Sequence, residues 1–335
     1  MPILSSEIKL YRSVNVSDTP ASNGGRIGTT EIVTNVNNNL FADVSQTERL
    51  AGSTKWRKAF FRNLNAGDLP LANPRIFLEN YTGADDNVSF VAGSQINNQS
   101  DLTGSEKKYG AGKLDSSISA SATTLDVLLE DPATQPFDDG DVIRISDKAS
   151  ITAGTGNEEF VTISGAPSLL GSVVTITFTP AVSNAYNASN TRVANVYEPG
   201  DIVGSSNSVV ATTAGSGDYD DGTYPITVPN VGGVYDDWTI TFTGPTSFTT
   251  AGTREGAVAG TGSTLAVYNP NNPATGTPYF SIPSAGWTGT WQAGDTLTFT
   301  TVPASAPVWV KRVVPAGAAA FTGNKAILAI DGETS

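Results

Sequence analysis

Apolar and polar residues alternate with period two along positions 8–14, 123–129, 173–178, 238–242 and 296–300. That period puts one set of side chains on each face of an extended backbone, so each run predicts a half-buried strand. Further strands are predicted at 31–34, 56–63, 74–79, 88–91, 142–145, 158–163, 192–197, 308–314 and 326–330, bounded by Gly, Pro, Asn or Asp. Ser45-Gln46-Thr47-Glu48 has the capping-box pattern and Gly52 follows as a stop, so a helix of at most two turns is expected between them. The texture beyond Leu114 predicts no long helix.

The spacing divides the chain into three. Residues 1–44 read as an extended arm, with turn chemistry at Asn23-Gly24-Gly25 and Asn37-Asn38-Asn39, either ordered on a neighbouring subunit or wrapped over its own domain. The strands at 56–63, 74–79 and 88–91 begin a small sandwich, so residues 1–113 are read as arm plus docking domain. Residues 114–198 form a barrel or sandwich module, and residues 199–335 a second sandwich module. Gly-Asp before an apolar stretch recurs at Gly140-Asp141, Gly200-Asp201 and Gly294-Asp295. The expected fold is mainly β: several small antiparallel sandwich or barrel modules in tandem with an extended N-terminal arm.

Composition then narrows the chemistry. The 335 residues include no histidine and no cysteine. That removes the commonest acid/base group together with thiolate nucleophiles, zinc–thiolate sites and disulfides. Carboxylate pairs and Ser-Lys arrangements are what remains for catalysis. No apolar run approaches the roughly 18 residues of a membrane span, and the first residues lack a signal-peptide pattern, so neither membrane insertion nor conventional secretion is expected. Residues 1–113 carry 12 Lys/Arg against 11 Asp/Glu, whereas the remainder carries 7 against 21. The acidic two-thirds repels nucleic acid, and the near-neutral third is the expected docking face.

Four features carry candidate chemistry. Lys55, Arg57, Lys58 and Arg62 lie beside Trp56, Phe60 and Phe61, the mixture that holds single-stranded nucleic acid. The favoured reading is an amphipathic strand with aromatics inside and charges outside. The acidic turns Asp138/Asp139/Asp141, Asp218/Asp220/Asp221 and Asp236/Asp237 offer oxygen ligands for calcium, but none has EF-hand spacing. Solvated turn aspartates are the expectation, with no metal or other cofactor assigned. Trp287 and Trp291 in a Gly/Thr-rich stretch are either a carbohydrate platform or one inward and one edge-covering ring. Gly24-Gly25, Gly215-Ser216-Gly217 and Gly260-Thr261-Gly262 lack the Lys-Ser/Thr of a phosphate-cradling loop and read as turns. No catalytic residue is assigned.

The order Thr123-Thr124-Leu125-Asp126-Val127, Phe137-Asp138-Asp139-Gly140-Asp141-Val142-Ile143-Arg144-Ile145, Asn157-Glu158-Glu159-Phe160-Val161-Thr162-Ile163 and Val174-Thr175-Ile176-Thr177-Phe178 resembles a β module recurrent in tailed-bacteriophage structural proteins. Thr54-Lys55-Trp56-Arg57-Lys58-Ala59-Phe60-Phe61-Arg62-Asn63 and Trp309-Val310-Lys311-Arg312-Val313-Val314-Pro315-Ala316-Gly317 are similar to stretches of virion proteins of contractile-tailed phages. The resemblance implies a non-enzymatic virion structural protein, assembled in the host cytoplasm. It implies partners in copies of itself, as a ring of about six or twelve at the neck, collar or tail, and in other virion proteins. Neither nucleic acid nor membrane is an expected partner. Capsid decoration and a glycan-binding adhesion module on the virion surface are the alternatives.

Overall fold

A computed structural model describes residues 2–34 and 36–334; Met1 and Asn35 of the expected arm and Ser335 of the last segment lie outside the described residues. The fold is mainly β, in several antiparallel sheets. The first module is a six-stranded sheet in the order Gly24–Glu31, Ile8–Asn15, Ser53–Asn63, Ser305–Val314, Asn87–Ala92, Lys108–Tyr109. A ribbon of Leu71–Asn80 with Ile327–Thr334 packs against it, and Phe61, Ile76, Leu78, Phe90, Val308 and Val310 form the core between.

Two expectations change here. Much of the arm is no arm: Ile8–Asn15 pairs along Ser53–Asn63 with Leu10 opposite Phe61, and Gly24–Glu31 pairs along Ile8–Asn15 in turn. The strand expected at 31–34 lies earlier, at Gly24–Glu31. The tail of the expected third module belongs to the first. Ser305–Val314 inserts between Ser53–Asn63 and Asn87–Ala92, where its alternating Ala306, Val308 and Val310 complete a core begun far upstream.

The second module is a closed barrel. Its strands run Glu158–Ile163, Val142–Ser146, Arg192–Asn195, Ala111–Leu114, Thr124–Leu128, Val173–Thr179, and the pairing of Thr162 with Thr179 closes the circuit. Closure leaves no free edge except where the short strand Ser168–Leu170 extends one wall. Inward Leu125, Val127, Ile143, Ile145, Val161, Val174 and Ile176 fill the interior.

The third module carries the sheet Ser205–Thr212, Thr296–Val302, Asp236–Phe242, Ser247–Gly252, with irregular segments over its apolar face. Barrel and third module share one local device. Phe137 and Trp291, both buried, each precede a turn whose glycine, Gly140 or Gly294, has φ of +85° or +96°. Asp141 and Asp295 then accept from the backbone N–H three residues back, at 2.8 and 2.9 Å. Each turn also exchanges two main-chain bonds with a neighbouring strand, at Ile163 and Phe242 respectively. The third Gly-Asp does not open a strand: Asp201 caps Asn73 and Ile202 bridges to Leu71, tying the third module to the first.

Candidate functional site

Register along the first sheet gathers four cations on one face. Arg12 stands opposite Ala59, Val310 opposite Arg57 and Arg312 opposite Lys55, so Arg12, Lys55, Arg57 and Arg312 extend the face that elsewhere carries the core. Residues 39–42 lie across this seat. Arg12 Nη2 donates to the Asn39 carbonyl, and Arg312 Nη1 to the Ala42 carbonyl at 2.8 Å. The Phe41 ring has the Arg312 guanidinium 4.9 Å from its centroid and that of Arg57 at 5.7 Å. Cation–π attraction of this kind strengthens as water is excluded. Asp18 neutralises Arg57 at 2.6 Å, and Glu48, on the helix Gln46–Ala51, meets Lys55 at 2.7 Å. Bonds from Lys55 and from Ser45 hold the Glu48 carboxyl down at about 2. Arg312 is 8% exposed, yet its Nε and Nη2 have no hydrogen-bond partner. Burial accordingly lowers its proton affinity.

Of this seat, the sequence singled out only Lys55 and Arg57. Arg12 and Arg312 were missed although they occupy inward positions, after Ile8 and Leu10 and after Val308 and Val310. A charge in the inward phase of a period-two run was the available signal.

Lys58 contradicts the expectation of charges outside. It is 1% exposed, on the opposite face, where Nζ donates to the carbonyls of Gly25 at 2.7 Å and Asn97 at 2.9 Å over the rings of Phe60 and Trp309. Burial pushes its pKa down to about 7. Phe60 and Phe61 are both buried because the strand is covered on both faces. Arg62 reaches the third module and donates to the Val231 carbonyl at 2.8 Å. The cations of this strand are therefore engaged with protein groups rather than arrayed in an open groove.

The acidic turns are tied up in the same way. Lys107 bridges Asp138 and Asp141, and Asp139 accepts from the Gly165 N–H at 2.7 Å. Asp220 and Asp221 cap the N–H groups of Thr223 and Ile226, and Asp218 that of Tyr219. Asp236, fully buried, accepts from the N–H groups of Asp237, Arg254 and Glu255 at 2.8–2.9 Å. The Thr300 hydroxyl and Arg254 hold the Asp237 carboxyl below its usual range. Among the described residues no three acidic side chains converge as metal ligands.

Trp287 and Trp291 stand in the third core. Trp291 stacks on Phe242 with centroids 4.2 Å apart and planes 11° apart, and meets Trp287 edge-on at 5.4 Å. Trp287 is half-buried against Tyr219 and Phe248. Trp291, 3% exposed, offers no face to a sugar. The glycine pairs serve close packing: a β-carbon at Gly24 or Gly217 would stand 2.7 Å from the Trp309 or Trp291 ring.

A cleft of 560 Å³ opens between first module and barrel, lined by Tyr81, Asp147, Arg192, Phe321 and Asn324 among others. Arg192 donates from its two terminal nitrogens to the Asn80 side chain and the Lys148 carbonyl while its Nε is buried without a partner, and Asp147 accepts from the Asn157 N–H. Comparison with protein-family models, curated proteins and solved structures finds no match.

Proposed function

We propose that the chain is a non-enzymatic structural protein of a tailed-phage virion that works by assembling into a ring, with the neck or collar as its station. The observation that carries the reading is the order of the modules. The chain leaves the first module near Tyr109, builds the barrel and the third module, and returns at Ser305 to the centre of the first sheet. The first module is thus a base from which the two acidic modules project as one insertion. Ile8–Asn15 and Ile327–Thr334 both pair within that base. Asp141 and Asp236 of the acidic turns are engaged in turn hydrogen bonds and ion pairs. Of the two rings of the glycan-binding alternative, Trp291 is buried in the third core, stacked on Phe242.

The test is absolute copy number per purified virion, by quantitative peptide mass spectrometry. About six or twelve copies support a ring, as cyclic assembly requires. Hundreds would replace the ring with capsid decoration, and absence from the particle would overturn the structural reading.

A further inference from the structure

The cleft between the first module and the barrel is walled by elements held in place. Tyr81 follows the strand Leu71–Asn80 of the first module, and Phe321 and Lys325 stand on the segment before Ile327–Thr334. That segment is pinned at two points. Asp85 accepts from the Ala319 N–H at 2.8 Å, and the Asn324 amide accepts from the Gly83 N–H at 2.8 Å while donating to Asp86 at 2.6 Å. The Phe321 ring stands near Gly83, whose β-carbon would lie 3.8 Å from Cζ, yet it is 57% exposed. On the barrel side Ser189 and Asn190 are tied to Asn187 through the main chain, which leaves their side chains without a hydrogen bond among the described residues. The Tyr81 hydroxyl is likewise free, and Asp147 engages only one carboxylate oxygen, with the Asn157 N–H. Both cations of the cleft lack a carboxylate: Arg192 bonds an amide oxygen and a carbonyl, and exposed Lys325 has no ion pair among the described residues.

The lining selects among ligands. Arg192–Asn195 is paired along both edges and Leu71–Asn80 is paired with Ile327–Thr334, so no free strand edge waits for a peptide. No leucine, isoleucine or valine lines the cleft, which gives a lipid chain nothing to bury against. A ligand read by amide and hydroxyl side chains, covered by one exposed ring and carrying negative charge fits what is there. We propose that the cleft binds a short acidic oligosaccharide, with a sugar ring on Phe321, its hydroxyls on Asn190, Ser189, Tyr81 and Asp147, and its carboxylate beside Lys325 and Arg192. The volume of 560 Å³ suits a small ligand, and the pinned segment presents Phe321 and Lys325 already ordered. The inference goes beyond the ring reading and does not rest on it.

The test places the full-length protein on an array of immobilised oligosaccharides that carry uronic acid, sialic acid or no charge. Binding to acidic members is expected, and titration calorimetry with the strongest of them then measures three variants. Phe321→Ala, on one wall, should weaken binding about tenfold, the worth of one stacked ring. Asn190→Ala, on the other wall, should also weaken it. Lys325→Gln should cost about threefold and flatten the dependence on salt. All three side chains are exposed, so thermal unfolding of the variants should match the wild type. An array with no acidic member bound, or affinity unchanged in both Phe321→Ala and Asn190→Ala, would overturn the site. Neutral members bound as tightly as acidic ones would overturn the assignment of charge. Copy number per virion is untouched by any of these results, so this inference can fail while the ring reading stands.

Discussion

Gly24 lies directly over the six-membered ring of Trp309: a β-carbon at position 24 would stand 2.7 Å from both Cη2 and Cζ2. Its φ of +113° is also closed to ordinary side chains. Gly24→Ala therefore combines a clash with backbone strain and is expected to cost ~3 kcal/mol. Gly104 is the control, since its φ of +84° faces open space and Gly104→Ala meets only the strain, ~1 kcal/mol. Urea denaturation of the two variants gives the comparison, and equal losses would rule out the packing argument.

Lys58 should make stability rise with pH. Its folded-state pKa, about 7, lies below the unfolded value of 10.5, so between these the unfolded chain binds more protons. The slope from this group is on the order of 1 kcal/mol per pH unit above neutrality. Lys58→Met is expected to flatten the wild-type rise between about pH 7 and 9.5. An unchanged slope in the variant would show that Lys58 stays charged in the fold.

Trp291 separates packing from polarity. Its Nε1 is buried without a partner, while its face stacks on Phe242. Trp291→Phe keeps the stacking and loses no hydrogen bond, so a cost of ~1 kcal/mol is expected, against ~4 kcal/mol for Trp291→Ala. Thermal unfolding ranks the two variants, and equal losses would show that the indole nitrogen matters after all.

Asp236, itself fully buried, holds three main-chain N–H groups and lies 3.5 Å from the Arg254 guanidinium. Asp236→Ala orphans the three N–H groups, while Arg254 keeps its pair with Asp237, and is expected to cost about 3–5 kcal/mol. Asp236→Asn keeps an acceptor oxygen and should cost less. Fluorescence of the buried neighbour Trp238 reports the unfolding of this module.

The strands of the barrel were legible because period two and a glycine-punctuated turn agree locally, as at Phe137 through Ile145. The helix between Ser45 and Gly52 was legible for the same reason: Ser45 accepts from the Glu48 N–H, and Gly52 takes a φ of +78°. The home of Ser305–Val314 was not, because its strand pattern is complete while its partners lie more than 200 residues upstream. Nothing in 305–314 distinguishes a strand that extends the third sheet from one that returns to the first. Lys58 was illegible for a different reason. A strand read as half-exposed assigns its charges to solvent, and only the covering of its second face by Gly24–Gly25 and the loop at Asn97 places a lysine inside. The seat of Arg12, Arg57 and Arg312 required registers between three strands, which no single window contains.

The return of Ser305–Val314 imposes an order of birth. Ser53–Asn63 and Asn87–Ala92 are not neighbours without it, so the base stays an open pair of half-sheets on the ribosome until the strand emerges. Barrel and third module have their own cores and local pairings, and can close while synthesis continues. The first sheet is therefore the last part of the chain to mature, completed only after the barrel and the third module have been made.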